Sequence, residues 1–249
     1  VGREIPTGDR GLSTLIGGGS RPYNLCMRRD TAAHSRAVTQ EYDRLAPEYE
    51  RRWRFYVEAT ADETQRRLAV RAGDHVLEIA CGTGRLLDKI RAQQPGAYLT
   101  GVDLSFQMLR IARRRGSQLR LVEADAVSLP FNDQTFDVVV CSNSFHFLPD
   151  PKAALAEMRR VLKPGATLLL TDWCDDYVWC RLCDWYLRLT DPAHVRMYGS
   201  RQCRRLLGEN GFRVERLDRY RVSRLWGLMT VIARPIPDPA IPREPGTSA

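Results

Sequence analysis

The sequence predicts an α/β fold: a mostly parallel sheet of seven strands with helices on both faces, an antiparallel terminal strand pair and an N-terminal helical cap. Three observations carry this reading. Short apolar, β-branched runs alternate with amphipathic stretches between residues 75 and 172. The first of these runs passes through Gly82 and Gly84 straight into helix-forming residues, the pattern of strand, tight turn and helix start. Two further strand-like runs, 212–220 and 225–233, follow each other across a short gap, as an antiparallel pair does.

Composition bounds the function. With 249 residues, 43% of them hydrophobic, the chain can furnish one α/β domain with a full core. No apolar run reaches the ~20 residues of a membrane-spanning helix, and no secretory apolar core precedes the domain. Seven scattered cysteines form no disulfide framework and suit a reducing compartment, so the cytoplasm is the expected location. The formal charge of +8 favours nucleic acid, anionic lipid or an acidic small molecule, but the arginines are spread along the chain and charge alone selects none of these.

The elements follow in order. Residues 1–30 are rich in Gly, Arg, Ser and Pro without an apolar period and read as a disordered extension; 1–26, ahead of the first methionine Met27, are expected to be dispensable. Residues 31–70 form the cap, with Val38, Tyr42, Leu45 and Tyr49 three or four apart and a break into two helices expected at Ala46-Pro47. Strand 76–80, helix 86–92, strand 98–102 ending at Asp103, helix 108–114, strand 119–123 and strand 136–141 come next. Helix 151–162 carries Ala154, Leu155, Met158 and Val161 on one face and stops at Lys163-Pro164-Gly165, before strand 166–170. Residues 173–199 read as an insertion whose Trp173, Tyr177, Trp179, Trp185 and Tyr186 form an aromatic helix over the sheet edge. Helix 200–209 and the strand pair complete a single domain, 31–234, and a Pro-rich tail, 235–249, reads as disordered.

Chemistry concentrates at the strand ends. Gly82 and Gly84 let the backbone approach a ligand, and the helix after them offers N–H groups to an anionic group. A dinucleotide fingerprint needs a third glycine where this chain has Leu87, and Glu78 would repel a pyrophosphate but receive an ammonium group. Asp103, nineteen residues after Gly84, stands where a βαβ nucleotide site carries its ribose-binding carboxylate; with Ser105 it is equally placed to cap the next helix.

The run Glu78-Ile79-Ala80-Cys81-Gly82-Thr83-Gly84-Arg85 resembles motif I of the class I S-adenosylmethionine-dependent methyltransferases. The resemblance covers about residues 40–234 and is strongest from 75 to 172. Tyr42-Asp43-Arg44-Leu45-Ala46-Pro47-Glu48-Tyr49 is similar to the lead-in of small-molecule members, where such a helix covers the cofactor; the same stripe also suits packing on the sheet. Ala124-Asp125-Ala126, with Leu129-Pro130-Phe131 after it, is similar to the segment that meets the adenine. The resemblance implies a Rossmann-like fold, S-adenosyl-L-methionine as cofactor and a small-molecule acceptor, as in ubiquinone and menaquinone biosynthesis. It implies Asp103 on the ribose, Asp125 and the Ala126 backbone on the adenine, and Tyr42 and Tyr49 as cover. Glu78, Ala80, Cys81, Gly82, Thr83, Gly84, Leu104, Met108 and Ser142 complete the implied cofactor set.

Other chemistries explain less. The fourth strand ends at Ser142-Asn143-Ser144-Phe145-His146-Phe147-Leu148, which lacks the Asn-Pro-Pro-Tyr mark of enzymes acting on base amines and so argues against nucleic acid as acceptor. His146 is the candidate general base, with a packing histidine as the alternative. Cys180 and Cys183 share a helix face, but no second couple accompanies them, so no metal is expected; a soft acceptor such as trivalent arsenic finds no residue-by-residue match. An NAD-dependent oxidoreductase accounts only for the loop and Asp103, while a non-catalytic S-adenosylmethionine-binding or RNA-associated module would use the same fold. The acceptor is expected between the N-terminal helices and the aromatic insertion.

Overall fold

Val138, Val139 and Val140 show why the sheet is buried on both faces. Val138 and Val140 belong to one apolar cluster, with Leu86, Leu87 and Ile90; Val139 belongs to the other, with Leu155, Met158 and Leu207. Side chains alternate across a strand, so a continuous β-branched run needs cover on each side. The computed structural model describes residues 31–237 apart from 117, 192, 224 and 225. The extension 1–30 and the tail beyond 237 lie outside the described residues.

The seven strands are β1 (His75–Ile79), β2 (Tyr98–Asp103), β3 (Arg120–Glu123), β4 (Phe136–Ser142), β5 (Leu162–Trp173), β6 (Phe212–Arg221) and β7 (Gly227–Pro235). They lie in the order β3-β2-β1-β4-β5-β7-β6. The first five are parallel, and β7 runs antiparallel to both β5 and β6, as the sequence predicts. The strand order reverses between β1 and β4, and ligands of open α/β sheets bind beyond the strand ends at such a point. Helices α2 (Arg85–Gln93) and α3 (Phe106–Arg113) cover one face, with α4 (Pro151–Val161) and α6 (Ser200–Glu209) on the other. No helix of the described residues is long and apolar enough to cross a membrane.

Three elements differ from expectation. The cap is a single helix, α1 (Thr31–Arg67), which runs through Pro47. A proline inside a helix costs about 3 kcal/mol, and contacts on both sides of it offset that: Asp43 accepts from Ser105 and from the Gln107 N–H, and Glu50 pairs with Arg115. β5 starts directly after α4 because Leu162 pairs with Phe136; Lys163–Ala166 then bulge out before Thr167 rejoins opposite Val138. The inserted helix is α5 (Val178–Thr190). Its Trp179, Trp185 and Tyr186 point to solvent, contrary to the expected acceptor pocket.

Candidate active site

A cavity lies beyond the carboxyl ends of β1, β2 and β4, roofed by the N-terminal half of α1 and a turn near its C-terminal end. Thirteen of the fourteen residues predicted to hold the cofactor line it: Tyr42, Tyr49, Glu78, Ala80, Cys81, Gly82, Thr83, Asp103, Leu104, Met108, Asp125, Ala126 and Ser142. Gly84 does not. It caps α2 with φ 73°, and a Cβ there would stand 3.0 Å from Ala112 Cβ, so its bareness serves the turn and the α2–α3 packing.

The loop after β1 is held open by its backbone. Ala80 takes the left-handed φ of 53° that glycine usually supplies, a strain of about 1–2 kcal/mol for an L-residue. Gly82 has the same φ, and its N–H donates to Asp103 Oδ2 at 2.8 Å. The Ser105 N–H donates to Asp103 Oδ1, also at 2.8 Å. Asp103 is thus both an anchor for the loop and a carboxylate at the cavity wall; the ribose and cap readings are compatible, since each oxygen keeps a free lone pair. Burial raises its pKa from the ordinary 3.8 to about 6, against the backbone donors of Ser105, Gly82 and Leu104 that hold it down and with Asp43 adding to the rise.

Glu78 is 4% exposed. Burial pushes its pKa well above the usual range, and the Asp103 charge adds to this. Its Oε2 meets no hydrogen-bond partner among the described residues, although it lines the cavity. A buried acceptor left without a donor costs about 1–3 kcal/mol, which a cation entering the cavity would relieve. Asp125 accepts from the Val127 N–H at 3.2 Å and from the Ser35 hydroxyl at 2.8 Å, so α1 closes directly onto it.

His146 is not brought to the cavity wall. It is 3% exposed. Its backbone N–H donates to Asp172 Oδ2 at 2.8 Å, its Nδ1 lies 2.7 Å from Asp172 Oδ1, and its ring stacks on Trp173 with centroids 5.0 Å apart. The neighbouring Ser144 and Phe147 do line the cavity, because the 3₁₀ turn Phe145–Phe147 points successive side chains apart. Of the aromatic insertion, Trp173 packs inward against Tyr56 and Trp226, and none of Trp173, Tyr177, Trp179, Trp185 or Tyr186 is among the lining residues.

Sequence reasoning placed the segment 142–148 beyond the fourth strand without singling out Asn143. It sits at the end of β4 with φ 56°, in the left-handed region that Asn tolerates. Its amide is clamped on both sides, accepting from the Tyr56 hydroxyl at 2.7 Å and donating to Thr60 Oγ1 at 2.8 Å. An asparagine closing a β-branched strand was the available signal. Ser35 gave none.

Two carboxylates at adjacent strand ends, a third after β3, a helix N-terminus without a side-chain cap and an unpartnered buried acceptor fit S-adenosylmethionine, which carries an ammonium, a carboxylate, a ribose and an adenine. The family described as "Methyltransferase domain" matches residues 77–170. A demethylmenaquinone methyltransferase of Thermus thermophilus is 38% identical over 141 residues, 53% of this chain and 64% of the relative, so the chain spans a little under two thirds of that protein's length. One from Clavibacter sepedonicus is 30% identical over 190 residues, 70% of this chain and 74% of the relative. Among solved structures, a methyltransferase in complex with the Haloferax volcanii Trm112 methyltransferase activator superposes with a TM-score of 0.68, covering 79% of this chain and 98% of that one; at 21% identity this is likeness of fold alone. With the carboxylates of motif I and the two later strand ends converging on one cavity, and with the Clavibacter relative matched over most of its length, the chain belongs to the class I S-adenosyl-L-methionine-dependent methyltransferases.

Proposed function

We propose that this chain transfers a methyl group from S-adenosylmethionine to a small, largely apolar acceptor. The observation that carries the reading is the convergence of Glu78, Asp103 and Asp125 on one cavity beneath α1. Glu78 would accept from the ammonium group, Asp103 from the ribose hydroxyls and Asp125 from the exocyclic amine, each through lone pairs its present donors leave free. The N-terminus of α2 would meet the carboxylate. Tyr42 and Tyr49, with ring centroids 6.1 Å apart, would close the cavity from α1.

Bound S-adenosylmethionine supplies a methyl group already activated on a sulfonium, so this chain's main task is to align the acceptor. Asn143, Phe147, Leu148 and Pro149 would form the acceptor side, an apolar wall with one fixed amide. Arg85 is the one Lys or Arg among the described lining residues, and it is already paired with Glu58 at 2.8 Å. A phosphate-tracking groove needs several unpaired cations, so this wall supports a small molecule over nucleic acid. The relatives are named for a demethylated quinone, and an apolar ring of that class suits the wall. Free buried thiols at Cys81, Cys141, Cys174 and Cys203 suit a cytoplasmic setting.

The test is label transfer. Incubation of the full chain with methyl-labelled S-adenosylmethionine and a panel of phenols and quinones, demethylmenaquinone among them, is expected to label a small molecule. Label entering RNA in a salt-sensitive manner, or NAD binding as tightly as S-adenosylmethionine, refutes the proposal.

A further inference from the structure

Helix α5 is amphipathic with its apolar side turned outward. Val178, Trp179, Leu182, Trp185, Tyr186 and Leu189 are each more than half exposed. At about 100° per residue they fall on a single arc roughly 120° wide. The opposite side carries Cys180 and Asp184, both buried. Asp184 accepts from His194 Nε2 at 2.8 Å and from the Met197 N–H at 2.6 Å, and it pairs with Arg188. Burial alone would raise its pKa, but these donors hold it below the ordinary carboxylate range. Rotating α5 to bury its aromatic side would strand this acid and its donors, so the outward aspect is fixed by the fold.

Charge marks out the occupant. Arg181 and Arg188 flank one edge of the apolar arc, with side chains 67% and 45% exposed. Arg219 and Arg221 of the edge strand β6 abut the start of α5 through Asp176 and the Tyr177 ring. Three of these arginines are paired, Arg181 with Asp175 and Arg219 with Asp176, each at 3.1 Å, and Arg188 with Asp184, so four arginines stand against three acids and the patch keeps a small positive excess. Trp, Tyr and Leu beside arginines are the side chains that settle at a lipid–water boundary. A second copy of the chain fits less well. Two chains of formal charge +8 repel each other.

We propose that the outward face of α5 docks peripherally on an anionic lipid surface, with Trp179, Leu182, Trp185, Tyr186 and Leu189 entering the interface and the neighbouring arginines meeting the headgroups. The proposal stands on α5 and does not require the methyl-transfer reading. It is tested by co-sedimentation of the full chain with vesicles of phosphatidylglycerol and phosphatidylcholine in equal amounts, and with phosphatidylcholine alone. Binding to the anionic vesicles, weakened by salt, is expected. The double variant Trp185→Glu/Leu189→Glu is expected to lower the partition by roughly tenfold or more, about 1.4 kcal/mol, with an unchanged melting temperature. Trp179→Glu, one helical turn or more away, is an independent second variant expected to weaken binding in the same direction. Failure of the full chain to bind anionic vesicles, or equal binding by the folded variants, overturns the proposal. So does a dimer in sedimentation that the double variant dissolves, which would assign the face to a second copy.

Discussion

Binding of S-adenosylhomocysteine should weaken about tenfold between about pH 7 and about pH 5, because Asp103 titrates in that interval. Burial favours the neutral acid and places the pKa at about 6. Ribose hydroxyls are donors and favour the ionised form, so affinity rises with pH through about 6 and levels off above it. With a pKa of about 6, roughly nine tenths of Asp103 is ionised at the upper pH and one tenth at the lower. If only the ionised form binds well, the ratio is about tenfold, or about 1.4 kcal/mol. Glu78, also raised by burial and by Asp103, acts in the same direction when it receives an ammonium group. Asp103→Asn isolates the first effect: it should bind at least tenfold more weakly at about pH 7, since hydrogen bonds to charged groups contribute about 1.5–3 kcal/mol, and lose most of the slope. Ligand-free stability carries the opposite sign. The folded pKa exceeds the ordinary 3.8, so the native state holds the proton longer. Stability falls as pH rises from about 4 to about 6, by up to about 3 kcal/mol. Calorimetric titration at both pH values is the assay. A flat affinity, or wild-type binding by a folded Asp103→Asn protein, would show that Asp103 does not meet the ribose.

Two further outcomes are expected. Gly101→Ala would place a Cβ 2.7 Å from Cys81 Sγ and 2.8 Å from Leu87 Cδ1, and such overpacking costs about 1–3 kcal/mol; a thermal melt identical to wild type would contradict the close approach of loop and helix to β2. His146→Ala should lower the melting temperature by leaving buried Asp172 short of a donor, at about 1–3 kcal/mol, with turnover falling less than about tenfold. A variant that melts normally yet loses roughly 10²–10⁴-fold in turnover would instead make His146 a general base.

The legible part of the site was the part written in local pattern. Glu78 stands near the end of one apolar run and Asp103 closes the next, each ahead of a helix start, whereas Asp125 is recognisable only through the resemblance of its segment to the family's adenine motif. Position along the chain then fixes position at the sheet edge, since every parallel strand ends on the same side. His146 shows the reach of the same logic. Its place after β4 is right, but a single 3₁₀ turn decides whether a side chain enters the cavity, and the deciding partner, Asp172, lies 26 residues away. Pro47 is the converse case. Its local signal for a break is sound, and contacts from both flanks, Asp43 to α3 and Glu50 to Arg115 just beyond it, override it.

The aromatic insertion shows why amphipathicity in a sequence has a period but no sign. The spacing of Trp179, Leu182, Trp185, Tyr186 and Leu189 identifies a helix with one apolar side, and the usual inference turns that side inward. Here three donors from outside the apolar stripe hold Asp184, and they outweigh the burial of two tryptophans. A buried acid deprived of its donors costs several kcal/mol, whereas solvent-facing aromatic rings lose nothing that an external surface cannot restore. The same accounting separates the two ends of α1. Thr60, Ala61 and Thr64 are buried at its C-terminal end, and Thr64 Oγ1 donates to Thr171 in the sheet at 3.0 Å. Its N-terminal half, which roofs the cavity, buries only His34 and Ala46 and is held by the Ser35–Asp125 and His34–Phe147 bonds, the Asp43 contacts at the start of α3 and the Glu50–Arg115 pair. Such part-exposed polar contacts contribute about 0–1.5 kcal/mol each. The roof over the cavity is thus seated largely by polar contacts, where the far end of α1 is seated by burial on the sheet.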